Sequence, residues 1–260
     1  MANTVYANKV LEAKAKDLLT TAVNTRTLMT VDNSLAQSAG MTKTVNVYTY
    51  TGTAEEVAAG EGNTEGARGS IAYKGTDYTV KMVQQAFDYT DEDFMKDNTI
   101  VDNMLKGANQ VMVNKMTADF IAECAKATLK QTFTTALSYD SIVDAISLLN
   151  VEDESKCFVL IPNTWKAALR KDADYKAARM GEVIYNGQVG TVAGLPVVAT
   201  KALTDTAYVM TPEAVKLFMK KDVEVEQDRD KDKRINSVYL RTAYLVALED
   251  ATKIASIKKA

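Results

Sequence analysis

The sequence predicts an α+β fold, and three observations lead to it. Strand-like alternation appears at residues 44–52 and again near 78–83, and a long proline-free helical run occupies 99–129. Beyond residue 134 short α and β segments alternate. At 260 residues the chain sits near the length at which one core divides, so two packed regions with extensions are expected.

Residues 1–43 hold helical fragments at Val10, Leu11, Ala15, Leu18 and Leu19, then a Thr-, Asn- and Ser-rich stretch from Thr20 to Ser38. The segment is too polar to form a core alone and reads as an arm that gains order by lying on something else. Thr44-Val45-Asn46-Val47-Tyr48-Thr49-Tyr50 alternates as a strand should. Between Gly52 and Gly75 the chain is rich in glycine (Gly60, Gly62, Gly66, Gly69), and acidic Glu55, Glu56, Glu61 and Glu65 face a single Arg68. Tyr78, Val80 and Met82 then alternate with Thr79, Lys81 and Val83 as a second strand. Two strands joined by a long polar tip predict a projecting hairpin. An isolated two-stranded ribbon is marginal in water. Its Tyr48, Tyr50, Tyr73 and Tyr78 are therefore expected to rest against another chain.

Thr90-Asp91-Glu92-Asp93 marks a helix start by its capping chemistry and early acidic charge. In 99–129, Ile100, Val101, Met104, Leu105, Ala108, Val111 and Met112 recur at helical spacing, and Ile121, Ala122, Ala125 and Leu129 resume it. Such a helix runs about 45 Å. Further along, helices are expected at Ser138–Leu149, from Thr164 to Leu169, and from Pro212 to Phe218 with proline in the first turn. Strands are expected at Cys157–Ile161, Leu195–Ala199, Ala207–Met210, Val223–Val225, Ile235–Leu248 and Thr252–Ile257.

The composition narrows the chemistry. Net charge is −3, so no overall basic field draws the chain onto nucleic acid. Histidine is absent, which removes His-dependent triads and His-bearing zinc and iron sites while leaving carboxylate and lysine chemistry open. Cys124 and Cys157 match no zinc spacing and read as small core residues. Gly60-Glu61-Gly62 lacks the third glycine of a dinucleotide fingerprint, and Gly187 to Gly194 lacks the Lys-Ser/Thr ending of a phosphate loop. The sign-alternating run Asp228 to Arg234 reads as a solvated turn, with Asp228, Arg229 and Asp230 as candidates for pairing with a neighbouring copy. No run approaches the roughly 18 apolar residues that span a bilayer, and no signal-peptide core precedes Thr20. No active site, cofactor or metal site is expected.

The segment Ile184-Tyr185-Asn186-Gly187-Gln188-Val189-Gly190-Thr191-Val192-Ala193-Gly194-Leu195-Pro196-Val197-Val198 resembles a stretch of tailed-bacteriophage major capsid proteins with the Hong Kong 97-type fold. Weaker likenesses follow in the family's order. They are the acidic glycine-rich hairpin, Thr90-Asp91-Glu92, Asp119, Ile161-Pro162-Asn163 with Leu169, and Val225-Glu226 with Asp228-Arg229-Asp230.

The resemblance implies an N-terminal arm (1–43), an extended E-loop hairpin (44–88), a peripheral domain with a long spine helix (89–133 and 249–260) and a mixed α/β axial domain (134–248). It implies hexamers and pentamers closing an icosahedral shell around weakly contacted double-stranded DNA, with a portal and in some relatives a decoration protein. The chain has no long N-terminal scaffolding segment, so a separate scaffolding protein is expected. Some relatives crosslink a hairpin lysine, for which Lys74 and Lys81 are the candidates here. Gly187, Gly190, Gly194 and Pro196 are expected to shape a tight turn. Virion localisation follows, after assembly in a bacterial host's cytoplasm and without a membrane. Two other readings stay open: an encapsulin-type compartment shell of the same fold, and an enzyme using carboxylates or lysine.

Overall fold

A computed structural model of the chain describes residues 10–15, 28–62, 68–178 and 190–260. Its strands are β1 (Thr30–Asp32), β2 (Thr42–Thr51), β3 (Ser70–Thr79), β4 (Lys81–Thr90), β5 (Leu129–Phe133), β6 (Phe158–Pro162), β7 (Thr191–Val192), β8 (Leu195–Thr200), β9 (Thr206–Met210), β10 (Val215–Asp230), β11 (Ile235–Leu248) and β12 (Ile254–Lys259). The helices are α1 (Asp91–Lys96), α2 (Ile100–Cys124), α3 (Tyr139–Leu149), α4 (Lys166–Lys171) and α5 (Ala173–Ala178), with short 3₁₀ turns between.

One layer sets the long helix α2 against a four-stranded sheet ordered β1-β10-β11-β4. The helix buries Val101, Leu105, Ala108, Met112, Val113, Met116, Phe120 and Cys124, a stripe recurring every three or four residues. That stripe meets Val223, Val225, Val238 and Leu240, the inward residues of β10 and β11. Along β11, Val238, Leu240 and Thr242 are buried while Ser237, Tyr239 and Arg241 are half-exposed, as a period of two requires. Burying each such aliphatic side chain contributes about 1.5–3 kcal/mol. The helix N-terminus is preceded by α1, where the Thr90 hydroxyl accepts from the Asp93 N–H and Asp93 reaches back to the Thr90 N–H, a complete capping box.

The other layer is a six-stranded sheet ordered β5-β12-β9-β6-β8-β7. All five residues of central β6 are buried, consistent with its unbroken apolar run. Helix α3 covers it with Ile142, Ala145, Ile146 and Leu149 over Val159, Ile161, Val209 and Ile257. The helix starts on Ser138, whose hydroxyl accepts from Ser141 N–H, and ends on Asn150 in the left-handed region at φ 46°.

Several expectations from sequence are corrected. The second strand of the hairpin is Ser70–Thr79, in antiparallel register with β2, and Lys81–Thr90 instead joins β11 in the body sheet. The long helix ends at Cys124, and Leu129 opens a strand because parallel pairing with the C-terminal β12 captures it. Pro212 to Phe218 is not helical. After a turn, Val215 begins a 16-residue strand paired with β11, so its apolar run is buried by cross-strand neighbours and not by one helix face.

The strand pairings also group the chain differently from the division implied by resemblance. Residues 215–248 build the sheet under α2, while 254–259 lie between β5 and β9. The described parts of the leading arm lie on their own chain. Leu11 and Ala15 are buried against the α2 layer, with Lys14 paired to Asp102 at 2.9 Å. Strand β1 runs parallel to β10, and Lys220 donates to the Leu35 and Ser38 carbonyls. Leu18 and Leu19 lie outside the described residues.

Candidate functional site

The feature least accounted for by the body's own packing is the β2–β3 hairpin, a sheet of two strands only. In its register Tyr48 lies opposite Tyr73 and Tyr50 opposite Ile71, so all four side chains share one face. They are exposed by 62%, 72%, 69% and 65% respectively. The two rings Tyr48 and Tyr73 stand 6.2 Å apart, centroid to centroid. On the reverse face Val47 is opposite Lys74, and both are exposed.

Glycine closes the far end of the ribbon. A Cβ on Gly52 would sit 2.8 Å from the Gly69 Cα, and one on Gly69 would collide with the Tyr50 phenol. The strands can therefore approach, and Tyr50 can lie across them, only with hydrogen at both positions. Beyond this closure Glu55, Glu56, Glu61 and Arg68 are exposed without regular structure, while Glu65 lies outside the described residues. At the near end only Val45 of β2 is buried, in a small core with Leu35, Val80, Phe218, Leu245 and Ala247.

The root of the hairpin meets a polar node on the long helix. Asp119 accepts hydrogen bonds from Lys115 Nζ at 2.9 Å, Tyr244 Oη at 2.9 Å and Lys81 Nζ at 3.2 Å. Burial alone would raise its pKa, but these three donors outweigh burial and hold the carboxyl below the usual carboxylate range. The Tyr244 phenol is pushed far up, first by burial and then by its bond to the charged carboxylate. One turn further, Glu123 accepts from Lys126 at 2.7 Å, and that ammonium also stands 5.0 Å over the Tyr78 ring. Lys81, a crosslinking candidate from sequence, thus lies at the start of β4 beside Asp119, whereas Lys74 is on the ribbon itself.

The remaining sequence-predicted residues fall elsewhere. Val192 pairs with Leu195, and between them Ala193 (φ 49°) and Gly194 (φ 81°) both take positive φ, the two-residue type I′ hairpin turn. Gly190 also has positive φ, at 49°, and its carbonyl accepts from Val197 N–H; Pro196 sits opposite Thr191. Gly187, with 184–189 of the motif, lies outside the described residues. In the charged turn, Arg229 pairs within the chain, donating to Asp91 at 2.6 Å, while Asn236 donates to the other oxygen of Asp91. Asp228 and Asp230 accept from nearby backbone N–H groups of 229 and 232–233.

Cys124 and Cys157 are buried, and burial pushes both thiols up, so neither has thiolate character. Among the described residues no group of three or more His, Cys, Asp or Glu is placed to hold a metal ion. No helix among them is long and apolar enough to cross a membrane. Sequence reasoning singled out Asp119 and the hairpin tyrosines, and missed Lys115, Glu123 and Tyr244. The signal available for Lys115 was its i,i+4 spacing to Asp119. Tyr244, 125 residues from its partner, offered none.

No family model matches the chain. The chain is 26% identical over 237 residues to the major capsid protein of Staphylococcus phage phiMR11, with 88% of this chain and 84% of that protein covered. It is similar in structure to the capsid of cyanophage P-SCSP1u, at TM-score 0.70 and 12% identity over 90% of this chain and 86% of that one. It is similar also to the virus-like particle from Pyrococcus furiosus, at TM-score 0.68 and 12% identity over 96% of this chain and 98% of that one. The chain has the α+β Hong Kong 97-type fold of tailed-bacteriophage major capsid proteins.

Proposed function

We propose that this chain is a phage major capsid protein whose task is self-assembly, through hexamers and pentamers, into an icosahedral shell around double-stranded DNA. The observation that carries the reading is the two-stranded hairpin with Tyr48, Tyr50, Ile71 and Tyr73 exposed on one face. A ribbon of this kind gains little from its own two strands, and an apolar stripe that the body leaves open fits a surface that a neighbouring copy covers.

In this reading the hairpin 42–79 is the E-loop, and α2 with its four-stranded sheet is the peripheral region. The six-stranded sheet with its helices is the axial region. The net charge of −3 is consistent with weak contact to the packaged genome. A separate scaffolding protein, a portal and a decoration protein are the further partners of this role, and the virion, assembled in the bacterial cytoplasm, is its place. The role is structural and not catalytic. Among the described residues the buried carboxylate is Asp119, whose oxygens are engaged by three donors, so it makes a poor base.

The test joins Gly52 to Gly69 directly through a two-residue Asn-Gly turn in place of residues 53–68. Circular dichroism should be unchanged and electron micrographs of concentrated protein should lose the closed shells that the full chain forms. Failure of the full chain to form closed shells would refute the reading, and closed shells of normal size from the shortened chain would remove residues 53–68 from the assembly contacts.

The likeness to the Pyrococcus particle over nearly the full length of both chains favours a second reading, an encapsulin-type compartment shell. Nucleic acid content separates the two: shells isolated from their native source hold packaged DNA in the first and a protein cargo in the second.

A further inference from the structure

The two body sheets end on four borders, and three of them are blunted. In the six-stranded sheet, β7 is two residues long and β5 is five. In the four-stranded sheet, β1 covers β10 along Lys216–Phe218. Beyond that cover the register of β10 shifts twice between Met219 and Glu224, in a stretch that carries Lys220, Lys221, Asp222 and Glu224. Short strands, irregular register and charge are the devices that keep an unpaired backbone from recruiting another strand.

Strand β4, the fourth border, has none of these. It is ten residues long and pairs with β11 in unbroken register from Thr90–Ile235 to Lys81–Tyr244. It holds no proline or glycine, and it is uncharged from Met82 to Phe87. Among the described residues no strand pairs with its other side. The open border is also apolar on both faces. Toward α2, Val83 and Phe87 join the cores but stay only partly buried, and on the opposite face Met82 is 64% exposed.

Charge and side-chain pattern both say what fits there. Lys81 stands at one end of the strand with its side chain 60% exposed, and Asp88 is exposed near the other. A second β4 laid parallel would set like charges together; laid antiparallel, it sets each Lys81 end beside an Asp88 end.

We propose that β4 is a docking edge for the β4 of a second copy, paired antiparallel across a two-fold axis at Gln85, so that two four-stranded sheets become one. Centred there, Val83 lies opposite Phe87 of the second copy on the α2 side, twice over, with the two Gln85 side chains between these pairs. Pairs of a β-branched and an aromatic residue are favoured across antiparallel strands. An axis at Gln84 would instead oppose Val83 to Gln85 and Lys81 to Phe87, which breaks up the apolar match. The contact is the same patch on both copies, so one partner satisfies it and the edge does not propagate into a fibre. It rests on the assembly reading only in that a shell brings copies together, and it gives them a pairwise contact separate from the hairpin.

The experiment oxidises the purified full-length chain, with dissolved oxygen and a copper catalyst, across the concentrations at which shells form. Gln85→Cys puts a thiol on the axis, where opposed Cα atoms stand about 4.5–5.5 Å apart, within the span of a disulfide. Val83→Cys puts its thiols four residues out of opposition, about 14 Å apart. Native Cys124 and Cys157 are buried, so the parent is the background. On non-reducing gels Gln85→Cys should give at least ten times the covalent dimer of the parent or of Val83→Cys. Val83→Cys mixed with Phe87→Cys should give dimer where neither does alone, which reads the register without altering Gln85. Shells of Gln85→Cys without covalent dimer, or equal dimer from Val83→Cys, would overturn the pairing and leave the assembly reading standing. Dimer from Gln85→Cys without shells would support the pairing while the assembly reading fell.

Discussion

The phenol of Tyr244 on β11 donates a 2.9 Å hydrogen bond to the carboxylate of Asp119 on α2, joining helix and sheet at a point buried from water. Bonds to a charged acceptor are stronger than neutral ones, about 1.5–3 kcal/mol. Tyr244→Phe should therefore lower the melting temperature by about 3–12 °C, at roughly 2–4 °C per kcal/mol for a chain of this size.

The same node predicts a pH dependence. The Asp119 carboxyl lies below its unfolded value, so its contribution is fully present above about pH 4 and is lost as pH falls through the lower folded value. Denaturant melts of the parent and Asp119→Asn should differ by a constant amount from about pH 5 to 8, and the gap should narrow below pH 4. A gap that widens in acid would reverse the sign argued here.

The aromatic face of the ribbon should matter to assembly and not to folding. Tyr48→Ser with Tyr73→Ser removes two rings that the isolated chain leaves exposed, so thermal melts should move by less than about 0.5 kcal/mol per site. Each ring can bury about 150–250 Å² against a neighbour, and the loss repeats at every copy in a shell. Light scattering should show the assembly threshold rising at least tenfold in protein concentration.

At the β7–β8 turn Gly194 has φ 81°, and no atom of the described residues lies within 4 Å of where its Cβ would stand. Steric crowding is not the obstacle there; backbone conformation is. Gly194→Val should cost about 1–2 kcal/mol because a β-branched residue is strained in the left-handed region. Differential scanning fluorimetry should show a drop of several degrees.

In the charged turn, Arg229 pairs with Asp91, and Asp228 accepts a local backbone N–H. Arg229→Ala should lower the urea midpoint by an amount worth about 1 kcal/mol, since the pair is partly buried, while Asp228→Asn should leave it unchanged. Equal effects would mean that the in-chain pair carries no stability.

How much of this was legible beforehand varies by element. The long helix and the first half of β11 announced themselves through periodicity, because each buries one face there, whereas β11 is buried on both faces from Thr242 to Ala247. Strand β3 did not: both its faces are exposed, so Ser70 to Gly75 show no alternation and resembled loop. Strand β10 carries Val215-Lys216-Leu217-Phe218-Met219, buried by neighbours on several sides, and an apolar run after proline reads equally as helix.

The sequence by itself determined the capping box at Thr90, the turn at Gly194 and the local helix and strand periodicities from which the α+β class follows. Each depends on residues within a few positions of one another, where backbone sterics and periodicity act. Tertiary structure alone decided that Lys81 and Tyr244 meet at Asp119, that Arg229 turns inward to Asp91, and that residues 10–15 and 30–32 lie on their own body. Those pairings join positions tens to hundreds of residues apart, and only the packing of helix on sheet brings such groups within reach of a hydrogen bond.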